Sequence, residues 1–154
     1  MVLVQQRQRF TGFLSEDVTI KTADESITED TTLSNDSDLQ FDVIAGFTYL
    51  IEGIIFVTSS AAPDFKYDMV FGSASPSRKA AGNFAAAANS AATSLGADAV
   101  VTMTQTQNFL RIAAYADITA SGTWAFRWAQ NTSSVSATVV KKDSYIRWIR
   151  IGPS

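Results

Sequence analysis

A chain of 154 residues with 46% hydrophobic and 18% charged residues is sized for one domain with its own core. Its net charge of -3 and scattered Lys and Arg exclude a phosphate-binding stripe, so no nucleic-acid partner is expected. Without cysteine or histidine it has no disulfide, no histidine triad and none of the usual nitrogen and sulfur metal ligands, so no cofactor is expected.

Met1–Glu16 stands apart from the rest of the chain. It is rich in Gln and Arg and lacks a clean period. Val2, Val4, Phe10, Phe13 and Leu14 are too apolar for a solvated tail, and Arg7 and Arg9 add charge. The segment reads either as a frayed tail or, favoured by these apolar residues, as an N-terminal arm, residues 1–16, that orders on a neighbouring subunit. Residues 17–154 read as a single domain. No apolar run approaches the roughly 20 residues that span a bilayer, so no membrane partner is expected.

Asp17–Lys21 is the first strand candidate, with Val18 and Ile20 on one face. Thr22–Asp38 is polar and acidic, with Ile27 and Leu33 tucked inward. Asn35, Asp36 and Asp38 open like a calcium loop, but Gln40 stands where the glycine belongs and no glutamate follows at the twelfth position. A solvated acidic turn is the expectation. Leu39, Phe41 and Val43 then alternate as a strand, and Ala45-Gly46 turns the chain.

Phe47–Thr58 is the longest β-rich run. Phe47, Tyr49, Ile51, Ile55 and Val57 share one parity, and Leu50, Ile54 and Phe56 the other. Apolar residues on both faces mean that either a second sheet or another subunit covers its outer side. Gly53 predicts a bulge or bend. Phe65, Tyr67, Met69 and Phe71 alternate against Asp64, Lys66 and Asp68, predicting a strand with an exposed charged face. Residues 72–82 read as a loop, and Phe84–Ser94 as an extended segment of small side chains. Ala99–Thr104 and Phe109–Ala120 are further strands.

Gly122–Asn131 carries Trp124, Phe126 and Trp128 in one register, with Ala125, Arg127 and Ala129 on the other parity. At about 3.3 Å per residue it spans on the order of 30 Å, enough to cross a small sheet. Asn131-Thr132-Ser133 is a formal glycosylation sequon that reads as a β-turn. Val135–Lys142 and Ser144–Ile151 close the chain, the last apolar on both parities. The expected core residues are Phe41, Tyr49, Phe65, Trp124, Phe126, Trp128 and Tyr145. The fold class is all-β: a two-sheet antiparallel sandwich, jelly-roll-like, with an extended N-terminal arm.

Paired carboxylates are the only catalytic chemistry the composition leaves open. Glycosidases need carboxyls about 5–9.5 Å apart. Asp64 and Asp68, four apart on a strand, would be roughly 13 Å apart. No catalytic residue is therefore assigned, and no enzyme is expected. Arg127, Arg147 and Arg150, on otherwise apolar strands, either reach along a rim or pair across a subunit contact.

Three segments in this order carry a resemblance: KTADES…TTLSNDSDLQFDVIAGFTYLIEGIIFV, APDFKYDMVFG, and WAFRWAQNTS…VKKDSYIRWIRI. Together they resemble a recurrent virion module of tailed bacteriophages, found in tail fibres, baseplate appendages and capsid decorations. The specific pieces are PDFK at Pro63–Lys66, WAQNTS at Trp128–Ser133 and Ser144-Tyr145. The Ala-rich Phe84–Ser94 departs from the pattern. The resemblance implies a trimeric β-sandwich in the virion shell or host-contact apparatus, and no catalytic motif. A module preceded only by a short arm fits a capsid decoration (cement) protein. Such a protein is made in the bacterial host cytoplasm and seated on the capsid surface. Its partners would be itself, as a homotrimer, and the major capsid or another virion protein. The contacts would run through Val2, Val4, Arg7, Arg9, Phe10, Phe13, Arg127, Arg147 and Arg150. The alternative is a short tail-fibre, head-fibre or receptor-binding protein that meets the host surface, with a surface glycan as its ligand.

Overall fold

The computed structural model describes residues 15–59, 63–71, 75–85, 99–101 and 108–153. Among them there are eleven strands: β1 Ser15–Ile20, β2 Glu25–Ile27, β3 Ser34–Val43, β4 Phe47–Thr58, β5 Phe65–Val70, β6 Ser75–Ala85, β7 Ala99–Val101, β8 Asn108–Ala120, β9 Gly122–Gln130, β10 Thr138–Val140 and β11 Tyr145–Pro153. All pairings are antiparallel, and the strands form two sheets, as the alternation predicts.

The larger sheet is built around β4. One edge of β4 pairs with β8, which in turn pairs with β6. Its other edge is shared end to end by β11, from Phe47 to Ile54, and by β10, at Val57 and Thr58. Outside these lie β1 on β11 and β2 on β10. The smaller sheet runs β3-β9-β5-β7. From β2 to β10 the chain changes sheet at every connection.

Two corners show how the crossings are fixed. Between β3 and β4, Gly46 takes φ +81°, a left-handed conformation that suits glycine, with open space where a Cβ would stand. The Tyr49 hydroxyl accepts the Ile44 N–H, and the Ile118 carbonyl accepts the Gly46 N–H. At Pro63, one carbonyl accepts the N–H groups of both Asn131 and Thr132. PDFK and WAQNTS therefore meet in space. Gln130 is buried and holds the same turn, donating to the Ser136 and Ile27 carbonyls and accepting the Ser134 N–H.

The core lies between the sheets. Trp124, Phe126 and Trp128 of β9 are fully buried, as are Phe65, Tyr67, Ile51 and Ile55. Phe41 stacks on Trp148 at 3.9 Å between ring centroids and on Trp124 at 5.1 Å, joining both sheets. Phe41 and Tyr49 are also buried. Tyr145 is not: it is half-buried on the outer face, and Ile146 takes the core position, because parity turns adjacent residues to opposite faces.

Other expectations change. Gly53 makes no bulge; it stays in register with Ile146 and Ile112. Its role is close approach: a Cβ there would lie 2.5 Å from the Tyr145 carbonyl oxygen. Ser75–Ala85 is a strand, not a loop, and among the described residues it pairs only with β8, with Pro76 at its register irregularity. Residues 86–94 of the Ala-rich stretch lie outside the described residues. The closing part of Val135–Lys142 is a strand only over Thr138–Val140. From Trp124 to Gln130, β9 is buried on both parities except at Arg127. β1 already begins at Ser15, inside the expected arm, and Val18 and Ile20 on it are exposed.

Trp128→Ala should lower stability by about 3–5 kcal/mol, most of the margin of a domain worth about 5–15 kcal/mol. Thermal melting reads this directly, and a shift of one or two degrees would place the indole outside the core. Gly53→Ala should cost roughly 1–3 kcal/mol by forcing β11 away from β4. An unchanged denaturation midpoint would show that the two strands separate freely there.

Candidate functional site

Three features stand out from the sandwich: a buried charge cluster, three arginines paired within the chain and an apolar outer face. The cluster begins at Lys21, where the ribbon of β1/β2 and β10/β11 is interrupted. Lys21 N–H donates to the Ser144 carbonyl, and Asp143 N–H donates to the Lys21 carbonyl. Asp143 takes φ +69°, and the Ser144 hydroxyl donates to the Lys141 carbonyl while accepting the Phe56 N–H. This is why Ser144 is buried ahead of the last strand.

The break turns the Lys21 side chain inward, where only 2% of it is exposed. Its Nζ lies 2.8 Å from Asp36 Oδ2 and 2.6 Å from Glu25 Oε2. Asp36 is fully buried, and its Oδ1 accepts the N–H groups of Asp38 and Leu39 at 3.0 and 3.1 Å. Trp128 Nε1 donates to Oδ2 at 3.3 Å. Between Asn35 and Gln40, five steps on β3 face only two on β9, from Arg127 to Ala125. The acidic SNDSD stretch is thus a bulge that drives Asp36 into the core. The expected solvated turn is corrected on this point: Lys21, fifteen residues away, supplies the countercharge.

Burial alone would lower the Lys21 pKa, but its bonds to Asp36 and Glu25 outweigh this and raise it. Asp38, on the same bulge, has its pKa lowered, first by the Thr22 N–H at 2.8 Å. Burial opposes this, and the Thr22 hydroxyl and the Lys21 charge add to the lowering.

Arg127 pairs with Asp68 at 2.5 Å. Asp68 is 3% exposed, so the exposed charged face expected of Asp64, Lys66 and Asp68 is corrected at Asp68. Asp64 stands before β5 with φ 48°, at the corner. Arg147 bridges Glu52 and Glu16 on the outer face of the large sheet, and its pKa is raised by these carboxylates. The Arg150 guanidinium lies 4.7 Å from the Phe47 ring centroid. All three arginines have partners within the chain. Val2, Val4, Arg7, Arg9, Phe10 and Phe13 lie outside the described residues. Among the described residues no group of three or more carboxylates is placed to hold a metal ion.

The outer face of the large sheet is the third feature. Register places Ile20, Tyr145, Ile54 and Arg111 in one row, and Val18, Arg147, Glu52 and Ala113 in the next. Glu16, Ile149, Leu50 and Tyr115 form the third row, and Phe56 sits beside Phe109 at the end. Val18, Ile20, Phe56 and Phe109 are each at least 40% exposed. Sequence parity identified Leu50, Ile54 and Phe56 on this face; Phe109 and Tyr115 join them only through the pairing of β8 with β4.

No family model matches the chain, and no curated protein matches its sequence. Among solved structures, one of infectious bursal disease virus, Gx strain, aligns at 8% identity and a TM-score of 0.24. The alignment covers 92% of this chain and 40% of that one. So distant a likeness decides nothing about fold or role.

Asp38→Asn should flatten the acid side of the stability curve. A carboxylate whose pKa is lowered on folding stabilises above its unfolded value, near 3.8, and that stability is lost as pH falls through the folded pKa. Urea midpoints followed from neutral pH downward read the difference. Parallel acid limbs for the variant and the parent would remove Asp38 from this role.

Proposed function

We propose that this chain is a structural protein of a bacteriophage virion, acting as a homotrimeric capsid decoration protein that binds the outer shell and stabilises it. The observation that supports this best is the apolar outer face of the large sheet, with Val18, Ile20, Phe56 and Phe109 exposed. Exposed apolar surface in contiguous rows marks an interaction surface. The resemblance of PDFK, WAQNTS and Ser144-Tyr145 to phage virion modules supplies the setting. A sandwich whose polar groups are spent on corners and internal pairs fits a building block, and no enzymatic role is proposed.

Residues 1–14 are proposed to add adhesive area on a neighbouring subunit. Trimerisation would multiply a weak shell contact through effective concentration. A stable contact needs more than about 1,000 Å².

Light scattering on the purified protein should give a trimer; a single species of 16.6 kDa would sink the oligomer. Labelling of virions should find many copies spread over the head. A few copies at the tail tip would reject cement and favour a receptor-binding protein. Deletion of residues 1–14 should weaken attachment to bare heads without dissociating the trimer, whereas unchanged attachment would assign adhesion to the sandwich alone.

A further inference from the structure

The Lys21 cluster holds more than an ion pair needs. A lysine amine, a carboxyl carbon, a second carboxylate and two backbone donors converge at a largely buried point that joins the two sheets. We propose that Lys21 and Asp36 condense to form an intramolecular amide cross-link, with Glu25 as the proton carrier.

The geometry supplies each part. A 2.8 Å contact from Nζ to Asp36 Oδ2 leaves the nitrogen within about 3–4 Å of Cγ, the range of a near-attack conformer. Oδ1 lies on the N–H groups of Asp38 and Leu39, which would hold the negative charge that develops there on attack. Oδ2, the oxygen that must leave, accepts from Trp128 Nε1. Glu25 reaches Nζ from the half-exposed side, with 35% of its side chain open, and is placed to take a proton.

The step balances without any external reagent. One proton passes from the Lys21 ammonium to Asp36 Oδ2 across their hydrogen bond, leaving a neutral amine and a carboxylic acid. The amine lone pair forms the N–C bond to Cγ, and the carbonyl π pair moves onto Oδ1. Glu25 takes the second proton from nitrogen and returns it to the departing Oδ2. The C–Oδ2 bond breaks, the pair on Oδ1 restores the carbonyl, and water leaves. Nitrogen keeps one hydrogen, Glu25 ends ionised as it began, and nothing is oxidised or reduced.

Burial gives the direction. Two charges held out of water carry a desolvation cost that a neutral amide does not. The bonds to Asp36 and Glu25 favour the Lys21 ammonium, so attack proceeds from the minor form in which one proton has passed along the Lys21–Asp36 hydrogen bond. The bond would tie the end of β1 in the large sheet to the bulge of β3 in the small one, closing the fifteen-residue separation between Lys21 and Asp36.

Mass spectrometry of the full, purified chain tests this. The expected result is a protein lighter than its sequence by one water, with no tryptic cleavage after Lys21 and a branched peptide joining Lys21 to Asp36. Asp36→Ala and Lys21→Arg should show the full sequence mass. Glu25→Gln, changed at the half-exposed position, should fold with the full mass or cross-link far more slowly. Folded parent protein at its full sequence mass overturns the proposal. So does loss of water without the branched peptide, as an aspartate cyclised to a succinimide would give. Cross-linking of Glu25→Gln at the parent's rate overturns the role given to Glu25.

Discussion

The contact between Lys21 and Asp36 is the constraint to which most of the sandwich answers. A lysine and an aspartate, both shut away from water, are tolerable only together. Removing one partner from such a pair typically costs about 3–5 kcal/mol, because the other charge stays buried. Several irregularities in the fold serve this one requirement. The ribbon of β1/β2 and β10/β11 breaks so that Lys21 can turn inward. β3 bulges so that Asp36 can meet it. Trp128, the end of the aromatic row on β9, turns its indole N–H to the same carboxylate. The polar centre therefore sits against the largest apolar side chains, where a wrong strand register would strand a charge.

Around that centre the chain alternates between sheets at every connection from β2 to β10. Each strand finds its neighbours only after a distant part of the chain has arrived. Such non-local pairing is slow to form, since loop entropy is spent before contacts repay it. The corners carry unusually specific hydrogen bonding for this reason. Pro63, Gln130 and Ser144 each anchor backbone groups from a remote segment, and Tyr49 closes its own corner at Ile44.

The two sides of the large sheet behave differently. Its inner side is closed over Tyr49, Ile51, Ile55, Ile112 and Ile146. Its outer side has rows of half-exposed apolar residues crossed by the Glu16–Arg147–Glu52 ion row. Exposed ion pairs add little stability of their own. An ion row across an apolar face instead fixes how a partner can be oriented on it, since charges resist burial without complementary groups. An assembly role fits this surface more readily than any pocket chemistry does.

Strand periodicity is a local property, so the sequence determined the strands at Leu39–Val43, Phe47–Thr58, Phe65–Val70 and Gly122–Gln130. It also determined the inward row of Trp124, Phe126 and Trp128, because side chains two apart share a face whatever lies opposite. The doubly apolar character of Phe47–Thr58 was legible for the same reason. Only the tertiary structure decided where Asp36 goes. Read alone, an acidic run with serine and asparagine looks solvated, and its burial depends on Lys21 arriving from another strand. Tyr145 and Ile146 were likewise ambiguous, since an apolar run on both parities does not say which parity faces in. Gly53 looked like a bend because nothing in its neighbours reveals the close approach of β11. Asp68 looked exposed until Arg127, fifty-nine residues on, closed over it. What pairs with what across long separations is set by packing, and no local pattern encodes it.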